Sequence, residues 1–489
     1  MKKILSNIFL LALSLVFITG CQDRSELTAP APQSPKSGTA DFTRFVSIGN
    51  SITAGYQSSA LFKDAQLYAY GNQIAQIVNT SYAMPLVSDP GLGGQLQVHQ
   101  LSPNLVLIQQ PSSGVPLNLS YPAPYNNLGV PGALVYDVLN ATDSMSCASA
   151  QVGQPNPFFD LVLRNSGLHL GSQIQQAMAL HPTFVTCWIG NNDVLGYATN
   201  GGVLMNNGVA IPITPTDATV FHEYYRQLGD SLDTLAVRGA KIVIANIPDV
   251  TTIPFFTTVG PLLAEEVPWA AHSIPGLFYQ IHGNTSADPT HMADSSTLAN
   301  LDVMITLSGQ NYTGLLGTPT GKWYRDNHYS ALPPGIDTTM PFGFYPTNPW
   351  PDALILDASE ITVAKNATRS FNSSIGAIAA KFSFGLVDIN LVFNTIFLGS
   401  VTQGGVMYNG VKFTPFYITG GLFSLDGVHP SSQGQGLIAN EFLKVINSKY
   451  GANFPLINLS TIPGSLNFGK RVASKNFYFD VSNWRNFGL

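Results

Sequence analysis

Four short motifs carry side chains that could take part in nucleophilic catalysis. They lie at residues 49–55, 127–133, 190–193 and 426–430. In the last motif Asp426 stands three residues before His429, and a carboxylate at that spacing can fold back onto the imidazole and fix its tautomer. The second imidazole nitrogen is then free to take a proton from a hydroxyl, and Ser51 in the first motif is the candidate nucleophile.

The two middle motifs could stabilise an oxygen that becomes negatively charged when a serine attacks a carbonyl. Two glycines and a proline in residues 127–133 could turn a backbone N–H toward that oxygen, although an ordinary loop has the same composition. An asparagine amide in residues 190–193 could donate to the same oxygen, and Asp193 could hold that loop. A turn at the end of a strand explains the same residues, so neither motif is specific by itself.

The elements around these motifs predict an α/β fold. Apolar runs at residues 45–48, 184–189, 241–245 and 385–389 indicate buried strands, and the first two end directly before the motifs of Ser51 and Asp193. Residues 68–78, 216–237 and 357–382 have helical spacing, and a last helix follows Ser431 as its N-cap. Alternating strands and helices predict a parallel sheet with helices on both faces, and sites in such sheets form beyond the carboxyl ends of the strands.

Taken in chain order, the four motifs resemble the sequence blocks of the SGNH/GDSL hydrolase family. The resemblance implies Ser51 as nucleophile, Gly132 as the glycine of the second block, Asn192 rather than Asn191 as an oxyanion donor, and Asp426 with His429 as the Asp-x-x-His-Pro block. Gly129 is a rival for the role of Gly132. The resemblance extends over residues 45–56 and 421–446.

Further expectations follow from this resemblance. The fold would be a three-layer α/β/α sandwich with a mostly parallel, flavodoxin-like sheet. The activity would be ester hydrolysis through an acyl-enzyme, with the N–H groups of Ser51 and Gly132 and the amide of Asn192 as the oxyanion hole and with no metal or cofactor. Asn50 stands where the family has Asp, which affects the electrostatics of the loop rather than the triad.

The substrate class does not carry over, because the segment between Asp193 and Asp426 is far longer than in compact members of the family. A lipase or acylhydrolase and a carbohydrate O-acetyl esterase remain alternatives, as does a non-catalytic surface lipoprotein that binds a ligand on the same fold. The substrate would be a small-molecule, lipid or glycan ester.

The amino terminus predicts export and lipidation. Lys2 and Lys3 precede an apolar run at residues 8–18, which is too short to span a bilayer, and residues 18–21 resemble a lipobox that ends at Cys21. An ordinary signal peptide with an incidental cysteine is the alternative. We predict a signal peptide at residues 1–20, a flexible tether at 21–41 and a hydrolase domain at 42–489 in a chain anchored in the cell envelope. Gln22 favours the outer membrane.

Composition excludes other classes of function. The net charge is −6 and no long basic run is present, so no nucleic-acid partner is expected. Residues 222–226 lack the second histidine of a zinc-protease helix, and no phosphate-binding loop is found. Cys147 and Cys187 could form a disulfide in an oxidising envelope, but the apolar run around Cys187 favours free buried thiols.

Residues 257–350 interrupt the strand-helix alternation and predict a long, loop-rich insertion. We expect this insertion to wall the substrate cleft and to set the preference for acyl-chain length. The alternative is that its aromatic residues form a satellite core. These aromatic residues and their close neighbours are Phe255, Phe256, Trp269, Phe278, Trp323, Phe342, Phe344 and Trp350.

Overall fold

The computed structural model describes residues 35–100, 105–269, 273–281 and 291–464, together with the backbone of 475–478. The predicted signal peptide, Cys21 and most of the predicted tether lie outside the described residues. Ala40 is already buried, and the Thr39 N–H donates to the Tyr450 carbonyl at 2.8 Å. Packing therefore begins slightly before residue 42.

The strands comprise one central sheet and several small antiparallel pairs. They are β1 (Phe45–Gly49), β2 (Leu96–Gln100), β3 (Val106–Gln109), β4 (Asn127–Gly129), β5 (Phe184–Trp188), β6 (Val203–Asn206), β7 (Val209–Pro212), β8 (Lys241–Ala245), β9 (Leu277–Phe278), β10 (Met292–Ala293), β11 (Met304–Ile305), β12 (Ile355–Leu356), β13 (Gly385–Val387), β14 (Val406–Tyr408), β15 (Val411–Phe413) and β16 (Lys475–Tyr478).

The helices vary from single turns to long packed helices. They are α1 (Ser51–Ala54), α2 (Lys63–Gln66), α3 (Tyr70–Ile77), α4 (Val135–Asn140), α5 (Phe158–Leu163), α6 (Asn165–Leu168), α7 (Gln173–Ala179), α8 (Asn192–Thr199), α9 (Ala218–Val237), α10 (Pro254–Thr257), α11 (Val259–Glu266), α12 (Ser295–Ala299), α13 (Gln310–Thr313), α14 (Lys322–Asp326), α15 (Ala358–Lys381), α16 (Ile389–Gln403) and α17 (Ser432–Tyr450). Among the described residues, none of these helices combines the length and the apolar character that crossing a membrane requires.

The central sheet is parallel throughout its five strands. Its order is β13-β8-β5-β1-β4, which in chain order of these strands is the 2-1-3-4-5 arrangement of flavodoxin-like folds. The prediction of an α/β fold with a parallel, flavodoxin-like sheet is therefore confirmed. The strand order reverses between β1 and β5, and this switch point is where ligands bind in open α/β sheets. Gly49 at the end of β1 is level with Gly129 of β4 and Trp188 of β5.

Helices cover both faces of this sheet and make it the middle of three layers. Helices α3 and α17 pack on one face, and α7, α9 and α15 pack on the other. The buried side chains of the strands and these helices form the main core. The predicted starts of the last two of these helices are close to those observed because local N-caps define them. Ser431 accepts from the Gly434 N–H at 3.0 Å, and Asp357 and Glu360 form a capping box at the start of α15.

Two elements differ from the sequence-based expectations. No strand was predicted at residues 127–129, but they form β4, because Ser47, Ile48 and Gly49 of β1 provide a parallel partner. The strand predicted at 385–389 ends at Val387, because the Asp388 side chain accepts from the Leu391 N–H and caps α16.

The insertion at residues 257–350 contains short helices and two-residue strands with a core of their own. Its predicted aromatics mostly lie in this second core, where Trp269, Trp323, Phe342 and Trp350 are at most 9% exposed. The alternative of a satellite core is therefore correct for these four residues. Phe256 instead belongs to the main core.

Candidate active site

Ser51, His429 and Asp426 form a continuous chain of hydrogen bonds. The Ser51 Oγ lies 2.9 Å from His429 Nε2, and His429 Nδ1 lies 3.0 Å from Asp426 Oδ2. Ser51 and His429 are 378 residues apart in the chain. With Nδ1 donating to the carboxylate, Nε2 is the nitrogen that can accept the proton of Ser51.

The position of Ser51 follows from the way β1 ends. Asn50 keeps the extended backbone of the strand and is the N-cap of α1, because its side-chain oxygen accepts from the Ile52 N–H at 3.1 Å, so the helix begins at Ser51. The Asn50 amide donates to Asn191 Oδ1 at 3.2 Å and joins the loops that follow β1 and β5. No described residue accepts from the backbone N–H of Ser51, which is the first of the helix.

The carboxylate of Asp426 is held by a tight turn. Its Oδ1 accepts from the N–H groups of Val428 and His429 at 2.9 and 2.8 Å and from the Ser424 hydroxyl at 3.1 Å. Burial would raise the pKa of Asp426, but the charge of His429 and these hydrogen bonds outweigh it and lower the pKa to about 2. The carboxylate is therefore ionised at neutral pH.

Gly427 makes this turn possible. Its φ of +69° is a left-handed conformation, and a Cβ there would lie 3.0 Å from the Phe255 nitrogen and 3.1 Å from Leu307 Cδ2. The Gly427 carbonyl also accepts from the Phe255 N–H at 3.0 Å, so the turn is attached to the segment leading into the insertion.

Two neighbours of the triad were not found from the sequence. The Ser59 N–H donates to Asp426 Oδ2 at 2.8 Å, and the Tyr56 ring lies against the His429 imidazole with 4.8 Å between ring centroids. The Tyr56 hydroxyl donates to the Ser59 carbonyl at 2.6 Å, which connects the two contacts. Both residues follow Ser51 closely, but neither has a sequence pattern that would indicate its contact.

The structure distinguishes the two candidate glycines of the second motif. The Gly129 N–H donates to Asn127 Oδ1 at 2.9 Å, and a Cβ on Gly129 would lie 2.4 Å from the Ala54 nitrogen of α1. Gly129 is thus a site of close packing whose donor is occupied. No described residue accepts from the N–H of Gly132, which is exposed in the following loop. Gly132 is therefore the better placed donor.

Asn192 and Asp193 connect this loop to the end of β5. The Asn192 side-chain amide donates to the Ala133 carbonyl at 2.9 Å, next to Gly132, and keeps a second N–H. Asp193 accepts from the Val135 N–H at 3.1 Å and from the Thr216 hydroxyl at 2.9 Å. Burial raises the pKa of Asp193 to about 7. Ser51, Gly132 and Asn192 are in this way brought to one edge of the sheet.

Two clefts meet at His429. The smaller has a volume of about 30 Å³, and its walls include Ser51 and Asn192. The larger has a volume of about 370 Å³, and its walls include Asp426 and Tyr56 together with residues 307, 308, 310 and 311 of the insertion. The insertion thus walls a cleft through a segment other than its aromatic residues, while Phe255 just before it also lines this cleft.

Other candidate groups take no part in these hydrogen bonds. Cys147 and Cys187 are both buried and free, and burial raises the pKa of the Cys187 thiol to about 12. Within the described ranges, no three His, Cys, Asp or Glu side chains are grouped as metal ligands.

Comparison with known proteins gave similarities to solved structures alone. No family model and no curated protein matches the chain. It is similar to an alpha/beta hydrolase enzyme from the metagenome of Lake Arreo, Spain, with 11% identity over 83% of this chain and 96% of that chain and a TM-score of 0.32. The chain is also similar to a putative GDSL-like lipase from Parabacteroides merdae, with 11% identity over 83% of this chain and 98% of that chain and a TM-score of 0.30.

A third similar structure is phospholipase A1 from Streptomyces albidoflavus, with 13% identity over 84% of this chain and 100% of that chain and a TM-score of 0.28. All three TM-scores lie below 0.5, so the function proposed below rests on the geometry of Ser51, His429 and Asp426.

Proposed function

We propose that this chain is a serine ester hydrolase that acts through an acyl-enzyme. The observation that carries the proposal is the chain of contacts from Asp426 through His429 to Ser51, with distances of 3.0 and 2.9 Å. A surface histidine beside a helix-capping aspartate would not require a serine at the other imidazole nitrogen. The ionised, fully hydrogen-bonded Asp426 also suits the task of orienting and stabilising an imidazolium.

The first half of the reaction forms the acyl-enzyme. Ser51 Oγ bonds to the ester carbonyl carbon as its proton moves to His429 Nε2. The carbonyl oxygen becomes an oxyanion that accepts from the N–H groups of Ser51 and Gly132 and from the amide of Asn192. When the carbon–oxygen ester bond breaks, the proton on Nε2 goes to the departing alcohol oxygen.

The second half regenerates the enzyme. A water gives a proton to His429 and bonds to the acyl carbon, and collapse of that intermediate returns the proton to Ser51 and releases the acid. Every step is a proton transfer or a substitution at the acyl carbon, so the atoms and charges of the whole reaction balance with the groups named here.

A serine-reactive phosphonate tests the proposal directly. The wild-type chain should be labelled at Ser51 and should hydrolyse 4-nitrophenyl acetate, whereas Ser51→Ala should do neither. A folded wild-type chain that shows neither labelling nor hydrolysis would instead favour the non-catalytic, ligand-binding alternative.

We further propose that the enzyme is held at the cell envelope by lipid on Cys21, in the outer membrane. Support comes from the lipobox-like residues 18–21 and from Gln22. A single acyl chain binds membranes only weakly, so stable anchoring would need more than one chain on this cysteine.

A further inference from the structure

We propose that the enzyme takes short-chain acyl esters of bulky ring alcohols, with the acyl group in the small cleft and the alcohol in the large one. This inference rests on the proposed esterase function. It starts from the observation that the two clefts share His429, while only the small cleft includes Ser51 in its described walls.

The acyl group has to lie where Ser51 lies. During the reaction the carbonyl carbon of the acyl group is bonded to Ser51 Oγ. The first carbon of the acyl chain is bonded to that carbonyl carbon and therefore lies two bonds from Oγ. The small cleft includes Ser51 and Asn192 in its walls, and Ser51 is not among the described residues that line the large cleft. The space next to the reacting carbon is therefore the small cleft.

The small cleft limits the length of the acyl group. Its volume of about 30 Å³ is enough for roughly one to three heavy atoms, because a single water already needs about 10–15 Å³ by this measure. The walls beyond Ser51 include Val250, Ile253 and Phe393, which are at most 4% exposed. Tightly packed apolar side chains of this kind suit a methyl or propyl group and resist expansion.

The alcohol has to lie near His429, because its oxygen takes the proton from Nε2 as it departs. His429 also lines the large cleft, whose volume of about 370 Å³ accommodates a group of roughly 25 heavy atoms or more at the same 10–15 Å³ for each. The departing alcohol therefore has a continuous path from the reacting carbon into this space.

The walls of the large cleft indicate the chemistry of that alcohol. Leu96, Leu107 and Phe255 offer apolar surface, while Gln109 and Asn311 offer amides that both donate and accept hydrogen bonds. No lysine or arginine is among the described residues of the wall, so a phosphate-bearing headgroup would lack a cation there. A ring alcohol with one apolar face and hydrogen-bonding groups fits best, and either an aryl alcohol or a sugar has this chemistry.

Two substrate series test the assignment with the wild-type chain. In the first, 4-nitrophenyl acetate, butyrate and octanoate vary the acyl group alone, and kcat/KM should fall at least about tenfold from acetate to octanoate, since each methylene in an apolar pocket is worth roughly 10–200-fold. In the second, methyl acetate, 1-naphthylmethyl acetate and an acetylated xyloside vary the alcohol while the leaving group remains an alkoxide. One or both ring acetates should exceed methyl acetate by at least about tenfold, and which of them does so distinguishes aromatic-ring from sugar alcohols.

Variants assign each preference to its cleft. Leu307→Trp and, from a different element, Leu96→Trp should reduce kcat/KM for the preferred ring acetate at least about tenfold relative to methyl acetate. Leu195→Ala, which widens the small cleft, should raise the butyrate-to-acetate ratio several-fold. Leu398→Trp, at a 62% exposed position of α16 that lines neither cleft, is the matched control and should change neither ratio.

Some outcomes would overturn the inference while the esterase function stands. The acyl group would be placed in the large cleft if the wild-type chain preferred octanoate to acetate. The same would follow if Leu307→Trp and Leu96→Trp reduced activity on long acyl chains rather than on ring alcohols. Efficient cleavage of a phospholipid would contradict the proposed alcohol. Failure of the esterase function is separate, because the wild-type chain would then hydrolyse none of the esters and resist phosphonate labelling.

Discussion

Replacement of Asp426 by asparagine is the sharpest test of the triad, because every acceptor position of this carboxylate is used. Oδ1 receives two backbone N–H groups and the Ser424 hydroxyl, and Oδ2 receives His429 Nδ1 and the Ser59 N–H. An asparagine amide nitrogen on the Oδ1 side would leave two buried N–H groups without an acceptor, at roughly 1–3 kcal/mol each. On the Oδ2 side it would lose the Ser59 N–H alone.

The amide nitrogen should therefore lie on the Oδ2 side and donate to His429 Nδ1. The imidazole is then forced into the tautomer that has its proton on Nε2, which cannot accept the proton of Ser51. A wrong tautomer in a Ser-His-Asp triad costs about 10⁴-fold in kcat, or about 5 kcal/mol of barrier. The fold should persist, because one lost backbone hydrogen bond costs roughly 1–3 kcal/mol.

The assay is kcat for 4-nitrophenyl acetate at pH 7.5, taken with circular dichroism and a melting curve to establish folding. Asp217→Asn is the matched control, because Asp217 is an exposed N-cap of α9 that accepts from the Thr219 and Val220 N–H groups. Asparagine caps about as well as aspartate, so both kcat and stability should be nearly unchanged. A folded Asp426→Asn variant within tenfold of wild-type kcat would refute the orienting role.

Three further predictions concern the triad, acid stability and location. Ser51→Ala and His429→Ala should each remove nearly all esterase activity, and the double variant should be little worse because triad members act as a unit, whereas near-native turnover in Ser51→Ala would rule out the nucleophile. Because the pKa of Asp426 falls from 3.8 to about 2 on folding, its stabilisation of about 2 kcal/mol is complete above about pH 5 and is lost as pH falls through 2. The wild-type chain and Asp426→Asn should be compared by their free energies of unfolding in urea. The difference between the two should decrease by about 1 kcal/mol from pH 6 to pH 3, and a difference that does not depend on pH would contradict the lowered pKa of Asp426. Cys21→Ser should release a soluble, active enzyme from membranes on fractionation, and a variant that still pellets would refute the lipid anchor.

Local sequence was sufficient where short-range chemistry decides the structure. Strand Lys241–Ala245 has the predicted bounds because an unbroken apolar run fits a buried parallel strand. The starts of α15 and α17 follow from N-cap side chains that accept hydrogen bonds from N–H groups within three residues. Helix α16 was missed, because its apolar residues lie on all sides and show no helical periodicity, with Leu391, Leu398 and Val401 exposed.

The sequence by itself determined the types of residue in the candidate site and the one contact that is local. Asp426 and His429 are three residues apart, so a tight turn with glycine at 427 suffices to join them. The contact between His429 and Ser51 spans 378 residues and depends on the sheet order that places β1 at the switch point. No local pattern contains that information, so the order of the motifs could suggest the contact only through a family resemblance.

Tertiary structure alone decided which donors are available and where space remains. Gly129 and Gly132 belong to one motif, and only the packing of β4 against α1 shows that the first is occupied and the second is open. The two clefts likewise combine walls from the segments that follow β1 and β5, from the insertion and from the segment before α17. The physical reason is that a cavity is space that no side chain fills, and a free donor is an N–H group that no neighbouring group accepts from. Both depend on how residues far apart in the chain pack together.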